Sequence, residues 1–227
     1  MARANREVAP VADSALALER RVLETSDTVS IGGPDADTFL YVVAGRGSIS
    51  LGETAKLEPR SAALVPARED AEVAADDALE LVVMTVASDV DQHAPMGPRA
   101  LTASLGGGAA QHATGARSFE ILFDASNGST RATLFAGFVP PGKPPWHYHL
   151  YDEIVWVPEG VGRLHIGETT EELGAGSAFR LRPREVHIVE NTSADRELTV
   201  IGLFTPAGSP SAAYLSPEVA AEYRIAG

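Results

Sequence analysis

Four side chains of this sequence could together bind a metal ion: His147, His149, Glu153 and His187. The first three have the same parity, so an extended segment would point them to one face. Residues 154–157 are β-branched or aromatic, which favours a strand, and His187 would enter from a second strand. Three imidazoles and one carboxylate suit a divalent transition metal. A structural polar cluster is the alternative, but burying it without a cation would cost on the order of several kcal/mol in lost hydration.

These residues and their neighbours resemble the two sequence motifs of the cupin family. The first motif, H-x-H-x3-E-x6-G, is matched by His147, His149, Glu153 and Gly160, after Gly142. The second motif, G-x5-P-x-G-x2-H-x3-N, is matched by Gly176, Pro183, His187 and Asn191. The resemblance covers about residues 140–204 and implies a small jelly-roll β-barrel with the metal inside it.

The turns of this sequence depart from the cupin pattern. Four residues rather than five separate Gly142 from His147, and six rather than five separate Gly176 from Pro183. The turn glycine of the second motif is replaced around Glu185, and the spacing from Pro183 to His187 is one residue short. These differences concern the shape of loops and leave the identity of the metal ligands unchanged.

Length and composition restrict the class of protein. The 227 residues are enough for two small domains or one large β domain, and 44% hydrophobic with 22% charged residues is ordinary for a globular protein. The net charge of −13 argues against nucleic acid and anionic membranes as partners. No cysteine is present to form a disulfide or a thiolate ligand. Without an apolar run of signal-peptide or membrane-span length, the predicted location is the cytoplasm.

The two halves of the sequence repeat one another in outline. Residues 41–47 match 156–162 with two glycines in register, and residues 51–54 match 166–169. Together with the family resemblance, this repeat predicts an all-β fold of two tandem jelly-roll (cupin) barrels. A short C-terminal helix is predicted to begin after Ser216, because a capping serine, a first-turn proline and an acid follow one another there.

The repeat also predicts the domain boundaries. We expect an N-terminal arm over 1–28, a first barrel over 29–87, a connection over 88–116 and the metal-binding barrel over 117–227. In the first barrel the ligand positions correspond to Gly32, Pro34, Thr38 and Asp70, which cannot bind a transition metal. That barrel is therefore predicted to be metal-free, and to support the second barrel, supply an interface or cover the site.

The metal strand also has an apolar outer face. Trp146, Tyr148, Ile154 and Trp156 have the parity opposite to the ligands and are too apolar to face water together. They could pack against the N-terminal arm or the other barrel, or form a subunit interface, as the family resemblance implies. We predict a homodimer. His165 is assigned to an outer face and is not counted as a ligand.

The predicted substrate is a small molecule that binds beside the metal. Its pocket is predicted to be lined by Tyr151, Val155, Phe179, Leu181 and Val189. The ligand set accepts Fe, Mn, Ni, Co, Cu or Zn, and the sequence does not select among them. We predict a metalloenzyme of the dioxygenase type acting on a small organic acid, enol or phenol. The alternatives are a redox-neutral metal-dependent isomerase, lyase or hydrolase, and a non-catalytic small-molecule-binding protein.

Overall fold

The computed structural model describes residues 14–107, 110–113, 116–216 and 219. Apart from the single helical residue Val219, every regular element within these ranges is a β-strand, which confirms the predicted all-β fold. Most of the helix predicted after Ser216 lies outside the described residues. Within the described ranges, no helix has the length and apolar character needed to cross a bilayer.

The described strands fall into two successive groups. The first half contains β1 (Leu16–Leu23), β2 (Thr28–Gly33), β3 (Ala36–Ala44), β4 (Gly47–Leu51), β5 (Glu53–Leu57), β6 (Ser61–Val65), β7 (Glu69–Ala75), β8 (Leu79–Ala87) and β9 (Thr102–Ser104). The second half contains β10 (Gln111–His112), β11 (Ser118–Phe123), β12 (Thr133–Val139), β13 (His147–His149), β14 (Asp152–Glu159), β15 (Val161–Ile166), β16 (Thr169–Gly174), β17 (Ala178–Leu181), β18 (His187–Asn191), β19 (Leu198–Thr205) and β20 (Ala213–Leu215).

Each half is built from two sheets, as a jelly roll requires. In the first half the sheets have the strand orders β1-β8-β3-β6-β9 and β2-β7-β4-β5. In the second half the orders are β10-β11-β12-β19-β14-β17 and β16-β15-β18-β13-β20. The interior of the first barrel is filled with aliphatic side chains, among them Ile31, Leu40, Ile49, Leu57 and Val73. Burial of this apolar surface stabilises the barrel without any polar site inside it.

The segment predicted as an N-terminal arm contains a β-strand. Strand β1 pairs with β8 from Leu16 to Leu23, so the predicted arm contains a strand of the first barrel. Leu16 and Leu18 are buried in the core, while Arg20 on the same strand forms an ion pair with Glu80 of β8 at 2.7 Å. Arg20 hides the strand in the sequence, because its partner Glu80 lies on a distant part of the chain.

The predicted connection between the barrels also contains strands. Strand β9 pairs with β6 and extends a sheet of the first half, whereas β10 pairs with β11 and extends a sheet of the second half. Between β8 and β9, the chain is held in place by backbone hydrogen bonds. One of them runs from Met96 N–H to the carbonyl of Ala125, at 2.8 Å. Described residues of the connection thus extend sheets of both barrels.

The two halves share one hydrophobic core. A sheet of each half contributes to it, with Phe39 and Met84 from the first half and Ile154, Trp156 and Leu203 from the second. The outer face of β14 is therefore covered by the first barrel, which is one of the two arrangements that the sequence allowed. The other two outer residues differ: Tyr148 stacks on Tyr214, and Trp146 lies edge-on to His165.

A buried ion pair also joins the two halves. Nη1 of Arg131 donates to both carboxylate oxygens of Asp37, at 3.0 and 3.1 Å, and Nε donates to the carbonyl of Ser88 at 3.2 Å. The Asp37 carboxylate also accepts the backbone N–H of Ala67 at 2.8 Å. With these partners the buried carboxylate has several donors, which offsets the cost of removing it from water.

The strand register supports the predicted repeat. Gly32 pairs with Asp70 in the first half as His147 pairs with His187 in the second. The ligand positions of the two barrels are therefore equivalent in the structure. Asp70 is exposed to solvent on the first barrel, whereas its counterpart His187 is buried inside the second.

Candidate metal centre

Three strands bring the four predicted ligands together inside the second barrel. His147 and His149 lie on β13, Glu153 is the second residue of β14, and His187 begins β18 opposite His147. All four side chains are buried. They converge because β13 and β18 are neighbours in one sheet, while β14 lies in the facing sheet of the same barrel.

The distances between these side chains are short. The ring of His187 lies 4.5 Å from that of His147 and 4.9 Å from that of His149, between ring centroids. Oε2 of Glu153 lies 2.9 Å from Nε2 of His149. The predicted set is therefore a compact group of nitrogen and oxygen donors.

Each imidazole is oriented by a backbone carbonyl two residues away. Nδ1 of His147 donates to Pro145 at 2.9 Å, Nδ1 of His149 to Tyr151 at 3.1 Å, and Nδ1 of His187 to Glu185 at 2.8 Å. A carbonyl oxygen only accepts hydrogen bonds, so this geometry assigns the ring hydrogen to Nδ1 in all three. Nε2 is left with its lone pair, which is the arrangement found in metal-binding histidines.

One buried atom shows that a cation fits these residues. Nε2 of His149 is buried and has no hydrogen-bond partner, although Oε2 of Glu153 lies 2.9 Å away. An imidazole nitrogen without hydrogen and a carboxylate oxygen are both acceptors, so this contact is not a hydrogen bond. A cation bound to both would satisfy them. Burying two such acceptors without one is unfavourable.

The structure does not present a finished coordination sphere. No group of three or more His, Asp or Glu side chains in the described part of the chain already has the geometry of a metal site. At His147 the reason is visible, since Nη1 of Arg117 lies 3.0 Å from Nε2, the atom that a metal would need. The donors are therefore assembled, but one of them has another partner.

Burial keeps the histidines in the form that binds metals. Burial, with the repulsion of the nearby Arg117 guanidinium as the second cause, lowers the pKa of His147 to about 4. Burial, followed by the repulsion of His147, lowers the pKa of His187 to about 2. Both imidazoles are therefore neutral at neutral pH, and no proton must leave them when a metal binds.

Tyr151 contacts His149 through both its ring and its backbone carbonyl. Its ring stacks on the imidazole of His149 at 4.0 Å between centroids and on Phe204 at 3.9 Å. Its carbonyl accepts the Nδ1 hydrogen of the same histidine. Burial, with the charge of Glu153 as a second cause, raises the pKa of the Tyr151 hydroxyl. The hydroxyl therefore stays protonated, and the side chain lines the cavity without a charge.

A cavity of about 90 Å³ opens beside these donors. It is well below the roughly 300–1,000 Å³ of pockets that bind drug-sized ligands, so only a small molecule fits. The five predicted pocket residues line it, namely Tyr151, Val155, Phe179, Leu181 and Val189. Whether they contact a substrate stays a prediction.

Other lining residues were not predicted from the sequence. They are Arg117, Phe119, Phe135, Gly137, Val139 and Val200, together with smaller residues at the rim. Alternation along β11, β12 and β19 could have indicated the apolar ones, because residues of one parity face the barrel interior. Arg117 carried no such signal, since it follows a glycine-rich segment without periodicity.

Two further polar residues lie away from the cavity. His165 is buried against Glu190, at 2.7 Å from Nε2, and against the Thr170 hydroxyl, at 3.0 Å from Nδ1. Arg180 forms two hydrogen bonds with Asp152, each 2.7 Å long. Neither residue lines the cavity. His165 is thus separate from the four predicted ligands, and Arg180 pairs with an acid.

Gly202 leaves room for the carboxylate of the site. A Cβ atom at this position would lie 2.4 Å from the ring of Phe135 and 2.7 Å from Oε1 of Glu153. We expect Gly202→Ala to destabilise the protein by about 1–3 kcal/mol and to weaken metal retention, because Phe135 and Glu153 must both move. Denaturant unfolding and metal analysis measure the two effects.

The matched control is Gly174→Ala, where a Cβ atom meets nothing within 4 Å. This control should lie within about 0.5 kcal/mol of the wild type in unfolding free energy. Equal unfolding midpoints and equal metal contents for the two variants would contradict the steric argument.

The part of the chain that contains these residues matches a known protein family. The family model described as Cupin domain matches residues 135–204, which contain all four predicted ligands. No curated protein matches the sequence.

Several solved structures are similar to the chain in fold. One is a mutant of oxalate decarboxylase from Bacillus subtilis, with 13% identity and a TM-score of 0.73, covering 93% of this chain and 74% of that chain. A second is a putative glyoxylate induced protein from Pseudomonas aeruginosa, with 16% identity, a TM-score of 0.72 and coverage of 88% and 78%. A third is a cupin 2 conserved barrel domain protein from Leptotrichia buccalis, with 12% identity, a TM-score of 0.59 and coverage of 84% and 83%.

At these identities the structural likeness shows the fold alone, whereas the family match over 135–204 rests on the sequence itself. The two agree with each other and with the motifs around His147 and His187. Residues 135–204 therefore match the cupin domain by sequence, and both halves of the chain have the cupin fold.

Proposed function

We propose that the second barrel binds one divalent transition-metal ion through His147, His149, Glu153 and His187. The observation that carries this proposal is the buried Nε2 of His149, which faces a carboxylate oxygen at 2.9 Å with no hydrogen-bond partner. The Nδ1 bonds of all three histidines support it. The similar oxalate decarboxylase from Bacillus subtilis has Mn(II) centres, which favours a divalent ion of this kind.

We further propose that the protein is an enzyme acting on a small organic acid, enol or phenol. When bound, the ion would polarise an oxygen of the substrate, lower the pKa of water or, if redox-active, activate dioxygen. Phe119, Phe135 and Val155 line the cavity with apolar surface and limit the access of water. The volume of about 90 Å³ restricts the substrate to a small molecule. A dioxygenase-type reaction is the first candidate.

A redox-neutral lyase reaction is the second candidate. The similar solved structures include several of oxalate decarboxylase, an enzyme whose name describes the loss of a carboxyl group from a small diacid. Their likeness to this chain is one of fold, so the choice between the two reactions belongs to experiment.

Elemental analysis of protein purified without added metal tests the metal proposal. We expect about one divalent ion per chain, retained through dialysis. A protein that neither carries nor takes up Mn, Fe, Co, Ni, Cu or Zn would overturn the proposal.

The reaction type is tested with the metal-loaded protein and a panel of small acids, including oxalate and glyoxylate. Oxygen uptake that matches substrate loss supports the dioxygenase candidate. Turnover by the zinc-loaded protein under nitrogen supports the redox-neutral candidate and excludes the first. The homodimer and the cytoplasmic location predicted from the sequence remain predictions.

A further inference from the structure

Arg117 is the only Arg or Lys among the described residues that line the cavity. It directly precedes β11, in the sheet that also contains β14 and therefore Glu153. Its side chain is partly buried, and Nη1 lies 3.0 Å from Nε2 of His147. A guanidinium only donates hydrogen bonds and an unprotonated Nε2 only accepts them, so Arg117 occupies this lone pair.

A metal ion and Arg117 require the same atom. The Nδ1 hydrogen of His147 is bound to the Pro145 carbonyl, which leaves Nε2 as the nitrogen available for coordination. One lone pair cannot serve both a guanidinium hydrogen and a metal ion. Repulsion between the guanidinium and a divalent ion adds to this exclusion. Binding of metal at His147 must therefore displace Nη1 of Arg117 from that atom.

The displaced guanidinium remains beside the cavity. The walls there are largely apolar, with Phe119, Phe135 and Val139 among them, and Glu153 is the only acid among the described lining residues. With a divalent ion bound, the lining groups carry a net positive charge, because one carboxylate faces the ion and a guanidinium. A small anion would balance this charge, and a carboxylate matches the fork of a guanidinium with two parallel hydrogen bonds.

We infer that Arg117 makes the site selective for small carboxylates, since metal binding releases it from His147 and allows it to bind the carboxylate of the substrate. This inference rests on the proposed metal site and specifies the substrate class of that site. It makes the order of binding sequential: the metal binds first and the acid second. A neutral molecule of the same shape gains nothing from Arg117.

Binding of acetate and of acetamide, which share a shape and differ in charge, tests the inference. The protein is loaded with Mn(II), its metal content is measured, and binding is followed by the relaxation that Mn(II) causes in the methyl protons of each probe. The variants are Arg117→Met, which removes the charge, and Arg117→Lys, which keeps it. Arg163→Met is the control, because Arg163 lies on the exposed side of β15 and pairs with Glu172 at 2.8 Å.

We expect acetate to bind Arg117→Met at least about tenfold more weakly than the wild type, as the loss of a charge-assisted hydrogen bond implies. Arg117→Lys should lie between the two, and Arg163→Met should match the wild type. Acetamide should bind the wild type and Arg117→Met alike. Competition with a chelator should show that Arg117→Met holds Mn(II) at least as tightly as the wild type, because the competitor for His147 is gone.

Two results would overturn the inference. One is an acetate affinity of fully metal-loaded Arg117→Met within twofold of the wild type, with both proteins folded by thermal melting. The other is acetate binding to the metal-free wild type as tightly as to the Mn(II)-loaded one, when both are measured by calorimetry. A wild-type protein that takes up no metal is a different outcome, since it overturns the proposed metal site itself and the inference with it.

Discussion

Replacing His149 with alanine is expected to lower the affinity of the second barrel for a divalent metal by more than about 100-fold. Loss of a group that only orients a ligand typically costs about 10–100-fold in metal affinity, and His149 is itself a proposed ligand. Its Nε2 is the buried atom without a partner, so its removal also leaves Glu153 facing an incomplete site. Metal content after dialysis and competition with a chelator measure the effect.

The matched control for this variant is His112→Ala. His112 is an exposed histidine of β10, so this change removes an imidazole without touching the proposed site. It should leave metal content unchanged. Because the alanine at 149 also removes the stack on Tyr151, thermal melting must accompany the measurement. Glu153→Gln, which keeps the shape of the side chain, provides a second test. Wild-type metal content in both His149→Ala and Glu153→Gln would show that the ligand assignment is wrong.

Replacing Arg131 with methionine should lower the free energy of unfolding by about 3–5 kcal/mol. The loss is large because Asp37 remains as a buried charge. Its side chain is only 4% exposed and would lose both hydrogen bonds from Nη1 of Arg131. The backbone N–H of Ala67 alone cannot compensate for a buried charge. Denaturant unfolding followed by circular dichroism measures the loss.

An exposed ion pair supplies the control for this second prediction. Nε of Arg46 lies 3.3 Å from Asp77, and the two side chains are 69% and 43% exposed. Arg46→Met should cost no more than about 1 kcal/mol, as is usual for ion pairs at the surface. Adding Asp37→Asn to Arg131→Met should restore part of the stability, because the unpaired charge is then gone. Similar losses for the Arg131 and Arg46 variants would contradict a special role for the buried pair.

Much of the candidate site could be predicted because it depends on local rules. Alternation along a strand is enough to place His147 and His149 on one face, and the strand register then sets His187 opposite His147. The motif spacing includes Glu153 without knowledge of the tertiary structure. The same alternation places Ile154 and Trp156 on the outer face, where they are indeed found in the core shared by the two halves.

What could not be predicted depends on residues that are distant in sequence. Arg117 reaches His147 from the residue just before β11, and no periodic pattern precedes it. The sequence of β1 does not by itself indicate a strand, because Arg20 is compatible with a buried sheet only when Glu80 lies beside it. The sequence also left open whether a second subunit or the first barrel covers Trp156. That choice follows from the packing of whole sheets, which a single segment does not encode.

The core shared by the two halves has a consequence for evolution. A half without metal ligands, with Gly32 and Asp70 where the other half has His147 and His187, could be expected to decay or be deleted. Deletion would leave Ile154 and Trp156 without cover, on the very strand that holds Glu153. Natural selection can therefore preserve the ligand-free half for its packing alone. Mutations in its interior are tolerated as long as its apolar face toward the second barrel is kept.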